Sequence, residues 1–364
     1  MRTPDIVARL GGDEFGILMP GLTDAQPGWL RRVEEIKAAL EQPVFVQDIP
    51  ISVEASVGIA FYPTHGDNVE LLLQRADVAM YVAKHENRGH ATYNPQEDDN
   101  NSTKLSLLGR LRHAIDNNEL VLHYQPLLDL HTGTVTRVEA LVRWQHPSHG
   151  FLLPAQFIPI AERTALIKPL TRYVLDAAVG QCKQWERGGH DLSVAVNLST
   201  RNLSESDLVE DVASTLAKWQ LDPGKLLLEI TESAIMSDPA RTEGVLRTLS
   251  GLGIRLAVDD FGAGYTSLAY LAKLPLDQVK IDRSFVAGIL DDDHDKAIVQ
   301  AIIHLCKDLG LQVVAEGVET APTLDELTRL DCDLMQGYHL AKPLSPVDLI
   351  HWLEQRQQPA DKAA

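Results

Sequence analysis

From Leu105 to Ala364 the chain alternates short apolar runs with longer amphipathic stretches. The runs are "LVLHYQPLL", "VTRVEALVRW", "LSVAVNLS", "KLLLEITES", "IRLAVDDFG", "QVKIDRSF", "LQVVAEGV" and "DLMQGYHL". Apolar runs of this length read as buried strands. Between most of them lie stretches with helical spacing, such as "AQFIPIAERTALI", "LVEDVASTLAKW" and "KAIVQAIIHLCKDLG". Eight strands with crossover helices predict an α/β fold, a closed (β/α)8 barrel of the TIM type. The 260 residues available are close to the ~250 such a barrel uses. Only "DLHTGT" separates the first two runs. That is short enough for a hairpin, so the first strand is expected to run antiparallel to the second.

Upstream, "RADVAMYVAKH" and "KLSLLGRLRHAIDNN" have helical patterns, and the polar, turn-rich "NPQEDDNNSTK" separates them. A domain boundary is placed there. The predicted layout is a small N-terminal domain over 1–95, a linker over 96–104 and the barrel over 105–364.

Composition narrows the class without naming it. Hydrophobic residues make up 45% and charged residues 23%, as in an ordinary globular protein. The formal charge of −18 disfavours a nucleic-acid polymer as partner, because a phosphate backbone needs a basic surface. It leaves room for a small phosphate ligand held through metal ions. There is no run of ~18 apolar residues to span a membrane, and "MRTPDIVARLGG" lacks a signal-peptide core. Three cysteines, far apart and odd in number, argue against a disulfide framework and suit a reducing cytoplasm.

Polar residues end most of the apolar runs: Glu139, Asn197, Glu229, Asp259 with Asp260, Lys280 with Asp282, Glu316 and Gln336. In a barrel these strand ends meet on one face, where active sites sit. Adjacent carboxylates at a buried strand end repel each other and lose hydration, so a cation is expected between them. Oxygen ligands without His or Cys suit hard cations, Mg²⁺ or Mn²⁺. Two such ions form a clamp for attack at phosphorus. Lys280 and Asp282 alternate onto one side of their strand, where an ammonium can hold water or a phosphate oxygen.

The stretch "EALVRW" at 139–144 resembles the signature of the EAL family of cyclic di-GMP phosphodiesterases. "NLS" at 197, "EITES" at 229, "DDFGAGYTSL" at 259, "KIDRSF" at 280, "AEGVE" at 315 and "QGYHLAKP" at 336 follow in the family's order. The resemblance covers nearly all of 105–355. It implies that Glu139, Asn197, Glu229 and Asp259 coordinate one metal, and that Asp259 bridges to a second completed by Asp260 and Glu316. It further implies that Lys280 orients the water and Arg143 contacts a phosphate, with Gln125, Leu141, Asp282, Glu319 and Gln336 lining the site. Glu232 would anchor the loop 261–267. Family members open cyclic di-GMP to linear pGpG, and the resemblance also suggests a homodimer.

"RLGGDEFGILMPGL" at 9–22 resembles the hairpin of the GGDEF diguanylate cyclase family, an α+β domain. "ISVEASVGIAFYP" and "LLLQRADVAMYVAKHENRG" resemble its later strand and helix. Arg2 and Asp5 in "RTPD" match that family's inhibitory product site, and GTP is its substrate. The family's first strand, with another metal-binding Asp, has no counterpart here. The resemblance is therefore to part of a GGDEF domain within a longer protein, whose upstream part would carry a sensor and any membrane anchor. Asp13 and Glu14 alone are not expected to make a cyclase.

Plainer readings compete at several points. His146 and His149 in "WQHPSHG" have ligand spacing, but Pro147 and Gly150 mark a turn, and a structural role is favoured. "DDDHDK" at 291–296 reads as a helix cap. Cys306 lies on an apolar helix face and reads as core. Two other functions are set against hydrolysis of cyclic di-GMP. One is a silent receptor for it, which a missing metal ligand would mark; none is missing. The other is a glycosidase using Glu229 and Glu316. The extra acids and Lys280 oppose that.

Overall fold

The computed structural model describes residues 5–11, 14–22, 28–40, 44–46, 49–51, 55–85, 89–94, 107, 110–117, 119–162, 164–262 and 268–357. The chain divides into two compact units, Met1–Ser106 and Leu107–Ala364. The expected linker lies outside the described residues, as do Arg2 and Asp13 and the side chain of Glu14.

In the first unit, β1 (Ile6–Gly11) and β2 (Glu14–Leu18) form an antiparallel hairpin in which Gly11 faces Glu14. After α1 (Gly28–Leu40), β3 (Val44–Val46) pairs antiparallel with β4 (Ile49–Ile51). Then β5 (Val57–Ile59) runs parallel to β6 (His90–Thr92), with α2 (Val69–His85) as the crossover. Val33, Ile59 and Phe61 form its small buried core. Asp5 accepts a hydrogen bond from Arg32 at 2.6 Å.

The second unit is the barrel. A short helix, α3 (residues 110–116), leads into β7 (Leu120–Asp129). Strands β8 (Val135–His146), β10 (Ser193–Leu198), β11 (Leu226–Thr231), β12 (Arg255–Phe261), β13 (Gln278–Ile281), β14 (Gln312–Ala315) and β15 (Leu334–Met335) follow. β10 to β15 and then β7 and β8 pair in that order, and β10 closes the barrel by pairing with β8. β7 is antiparallel to both neighbours, β8 and β15, as the short first connection predicts. A three-residue strand, β9 (Gly150–Leu152), hangs on the outer end of β8.

The alternation along the strands explains both the core and the site. Val194, Val196, Leu226, Leu228, Leu256, Val258, Val279 and Val313 join the large core cluster shared with the surrounding helices. The residues between them point into the barrel. Ala195, Leu227 and Ala257 fill one side of its interior, and Leu127, Val314 and Leu334 the other. Strands buried on both faces read as nearly continuous apolar runs, so the polar inward residues at their ends stand out.

Two helical expectations are adjusted. "AQFIPIAERTALI" is not one helix: α4 (Pro154–Glu162) stops and α5 (Ile167–Arg187) begins anew. The Thr164 hydroxyl donates to the carbonyls of Ile160 and Ala161 and accepts from the Leu166 amide, which closes the first helix. The acids at 291–296 do cap a helix, α12 (Asp293–Asp308), but it starts before Lys296. Asp292 accepts from the His294 amide at 2.7 Å, and Asp293 and Asp295 occupy the first turn. His146 Nδ1 accepts from the amides of Ser148 (3.2 Å) and His149 (3.1 Å), the structural role favoured for it. Cys182, Cys306 and Cys332 are buried free thiols. Among the described residues no helix is long and apolar enough to cross a membrane.

Candidate active site

Inward positions of five strands carry Glu139 (β8), Asn197 (β10), Glu229 (β11), Asp259 (β12) and Lys280 (β13). Glu316 follows β14 by one residue, and Gln336 follows β15 by one. Their convergence centres on the Lys280 ammonium, whose side chain is 1% exposed. Nζ lies 2.6 Å from Glu316, 2.9 Å from Glu229, 3.2 Å from Asp259 and 3.5 Å from Glu139. One buried cation thus faces four carboxylates.

The carboxylates respond unequally. Burial drives Glu229 well above the usual carboxylate range, reinforced by Glu139 and Asp259 and only partly opposed by Lys280. Burial also raises Glu139, but Lys280 and hydrogen bonds from Gln336 and Asn197 outweigh it and leave that group below its ordinary value. The difference lies in donors. Glu139 receives Asn197 Nδ2 at 2.6 Å and Gln336 Nε2 at 2.7 Å. Glu229 has Lys280 alone, and its Oε1 is buried without a partner. Glu316 is raised to about 7, again chiefly by burial. Lys280 is held well above its usual value: burial lowers it, but the surrounding carboxylates prevail.

Asp259 and Asp260 are placed by a bulge. Val258 pairs with Val279 and Phe261 with Ile281, so the two aspartates together oppose the single Lys280. Asp260 has φ 52°, in the left-handed region that Asp tolerates better than most residues. In a regular strand consecutive side chains face opposite sides. Here carboxylate oxygens of Asp259, Asp260 and Glu316 lie within 4.8 Å of one another. The Asp260 side chain reaches the surface, yet desolvation, then the charges of Asp259 and Asp282, raise it to about 6.

This donor set suits hard divalent cations: carboxylate oxygens dominate, and the buried Oε1 atoms of Glu229 and Gln336 are acceptors without donors. Asn197 and Gln336 donate through nitrogen to Glu139, so their oxygens are free to face a cation.

The remaining expected residues divide. Gln125 sits directly opposite Glu139 in the β7–β8 ladder. Its amide is taken up by the Ala341 carbonyl (3.1 Å) and Gln336 (3.0 Å). Leu141 and Arg143 alternate with Glu139 onto the same face of β8, and Arg143 is buried, spending Nη1 on the Val142 carbonyl. Asp282 caps the short α11 (Arg283–Gly288), accepting from the Ser284 amide and hydroxyl. Glu232 opens α8 (Glu232–Ser237), is 4% exposed, and accepts from the Gly262 amide at 3.1 Å. Gly262 has φ 101°, and a Cβ there would meet the Phe285 ring at 2.9 Å. The rest of that loop, 263–267, lies outside the described residues. Glu319 is exposed, outside the hydrogen bonds that join the rim residues described above. The chain of hydrogen bonds from Gln125 through Gln336 to Glu139 has no counterpart in sequence spacing, since Gln336 and Glu139 are 197 residues apart. Tyr338, two residues beyond Gln336 with its ring 5.5 Å from Lys342 Nζ, is a further residue that the motifs did not single out.

Comparison with known proteins gives two family matches: the EAL domain over residues 108–343, and the diguanylate cyclase GGDEF domain over 1–90. The bifunctional diguanylate cyclase/cyclic di-GMP phosphodiesterase MucR of Pseudomonas aeruginosa is 41% identical over 352 residues, covering 96% of this chain and 51% of MucR. The cyclic di-GMP phosphodiesterase PdeR of Escherichia coli is 36% identical, covering 95% of this chain and 52% of PdeR. The chain thus spans about half the length of these curated relatives. Among solved structures, a PaMucR phosphodiesterase complex with c-di-GMP superposes with a TM-score of 0.65 at 44% identity, covering 67% of this chain and 99% of that one.

Proposed function

The chain belongs to the EAL domain family, preceded by part of a GGDEF domain, and on that premise we propose that it hydrolyses cyclic di-GMP to linear pGpG. The observation that carries this reading is the convergence of Glu139, Glu229, Asp259 and Glu316 on Lys280, with Asp260 turned in beside them. Two Mg²⁺ or Mn²⁺ ions, one held by Glu139, Asn197, Glu229 and Asp259 and one by Asp259, Asp260 and Glu316, would supply charge neutralisation at phosphorus and a more acidic water.

The protein's own groups do the rest. Lys280, kept cationic by its neighbours, donates to the attacking water or a phosphate oxygen. Arg143 keeps donors for a second phosphate oxygen. Gln336 and Asn197 fix the orientation of Glu139. Water adds its hydroxyl to phosphorus, the sugar oxygen leaves with the proton, and the ring opens. The Lys280 ammonium between Glu229 and Glu316 opposes the glycosidase reading, which needs those two carboxylates open to a sugar.

Incubation with cyclic di-GMP and Mg²⁺, followed by chromatography, tests the proposal. Linear pGpG is expected, and none in excess chelator or in Glu139→Ala. Ca²⁺, with its larger and looser shell, should support turnover poorly. Binding of cyclic di-GMP without product under any divalent cation would instead identify a receptor. The GGDEF portion is proposed not to be a cyclase: Glu316→Ala, unable to destroy product, should accumulate no cyclic di-GMP from GTP. GTP or cyclic di-GMP binding to that portion, and a homodimer, are part of the same proposal, tested by titration and sedimentation.

A further inference from the structure

The barrel's opposite end carries an unassigned cavity. Its volume is about 290 Å³, and Thr136, Arg137, Ser193, Lys225 and Arg255 are among the residues lining it. These residues sit at or beside the starts of β8, β10, β11 and β12. One water needs only ~10–15 Å³ of such space, so the cavity has room for a polyatomic ligand.

Arg137 is the informative residue. It is 6% exposed, faces Ser193 in the ladder, and reaches across the barrel to donate through Nη1 to Gln278 Oε1. No carboxylate lies within ion-pair distance of it among the described residues. Its Nε and the Nε2 of Gln278, itself 0% exposed, are buried donors with no acceptor. Unmatched buried donors are destabilising, and a buried cation without a close counter-ion is more so. A second guanidinium, Arg255, lines the same cavity and has no ion pair among the described residues. Lys225, by contrast, is satisfied by Asp191 at 2.7 Å and Glu186 at 3.1 Å. Burial, and then the like charge of Arg255, push Arg137 down to about 10, against the weaker opposing charges of Glu229 and Asp277.

Two arginines, one of them buried with an unmatched Nε, thus line one cavity. We propose that this cavity binds a small phosphate-bearing molecule, separately from the metal-binding rim. Guanidinium forks match phosphate oxygens in pairs. Asp191 and Asp222 on the lining, and a net charge of −18, select against a polyanion.

The test uses the full chain with metals chelated and inorganic phosphate as probe, against chloride at matched ionic strength. Phosphate should raise the melting temperature by a few degrees and saturate. Arg255→Ala, remote from the rim, should weaken the apparent phosphate affinity at least tenfold while leaving turnover of cyclic di-GMP in Mg²⁺ unchanged. Arg137→Met should also lose the shift. Should that variant fail to fold, Arg255→Ala decides alone. Arg143→Ala, altered on the other face, should keep the shift. Absence of a saturable rise, its survival in Arg255→Ala, or its loss in Arg143→Ala would each overturn the proposal.

Discussion

Asp259 and Asp260 are consecutive in one strand, yet both bring a carboxylate to the same point beside Glu316. The left-handed turn at Asp260 and the bulge against Lys280 make this geometry. Left-handed backbone costs ~1–2 kcal/mol for an L-residue, and Asn accommodates it about as well as Asp. Asp260→Asn should therefore melt within a degree or two of the parent and lose more activity than the ~10–100-fold of an outer-contact loss. Asp260→Val should lose both stability and activity. Equal melting temperatures for the Asn and Val variants would remove the strain argument.

Glu232 holds the Gly262 amide from a neighbouring element. Glu232→Gln leaves every proposed ligand in place but weakens the tie just beyond Asp260. It should fold normally, require more Mg²⁺ and turn over at least ~10-fold more slowly. Substrate affinity in Ca²⁺ should change less than turnover. A variant matching the parent in both Mg²⁺ requirement and rate would reduce Glu232 to a buried structural acid.

Lys280 is the cation within ion-pair distance of Glu139, Glu229, Asp259 and Glu316. Lys280→Met leaves them uncompensated, and breaking a buried ion pair typically costs about 3–5 kcal/mol. Metal-free Lys280→Met should melt well below the parent at pH 8 and approach it at pH 5, where Glu316, raised to about 7, takes up its proton. Mn²⁺ should raise its melting temperature more than the parent's, although turnover is lost. A pH-independent difference would count against the charge argument.

Protons and divalent cations should compete at the rim. Glu316 at about 7 and Asp260 at about 6 lie above their unfolded values of 4.5 and 3.8. For acids raised in this sense, the folded state binds protons more tightly. Their stabilising contribution is full below about pH 4 and is lost as pH rises through 6 to 7. The metal-free protein should lose melting temperature across that window, and saturating Mg²⁺ should remove the loss. Glu139, held low, acts in the opposite sense only in more acidic solution. Calorimetry at pH 6 in buffers of different ionisation heat should detect proton release on Mg²⁺ binding; none would contradict the raised values.

Much of this was legible because strands buried on both faces leave few reasons for a charged residue except at the rim. The runs ending in Glu139, Glu229 and Asp259 declared both barrel and site. The antiparallel β7 followed from the six-residue "DLHTGT" connection. Three things were not legible. The bulge at Asp260 is a backbone event with no spacing signal. The Gln336–Glu139 contact joins residues at opposite ends of the barrel sequence. The helix break at Thr164 depends on one hydroxyl competing with the helix carbonyls. Arg137 was hidden for a related reason: "VTRVEAL" reads as an apolar strand with one outward arginine, whereas its alternation with Glu139 turns it inward.

Because β7 runs against its neighbours, its first residue, Leu120, stands level with Trp144, beyond Glu139 on the reacting side. In an all-parallel barrel the chain would arrive at the far end and climb the first strand toward the chemistry. Here α3 delivers it straight to the working rim, where Glu119 is clasped by Arg110 at 2.8 Å and Trp144 at 3.1 Å. Six residues after Glu119 comes Gln125, hydrogen-bonded to Gln336. A pull or twist applied to the barrel's leading segment thus has a lever arm of a few residues to the group that aims Glu139.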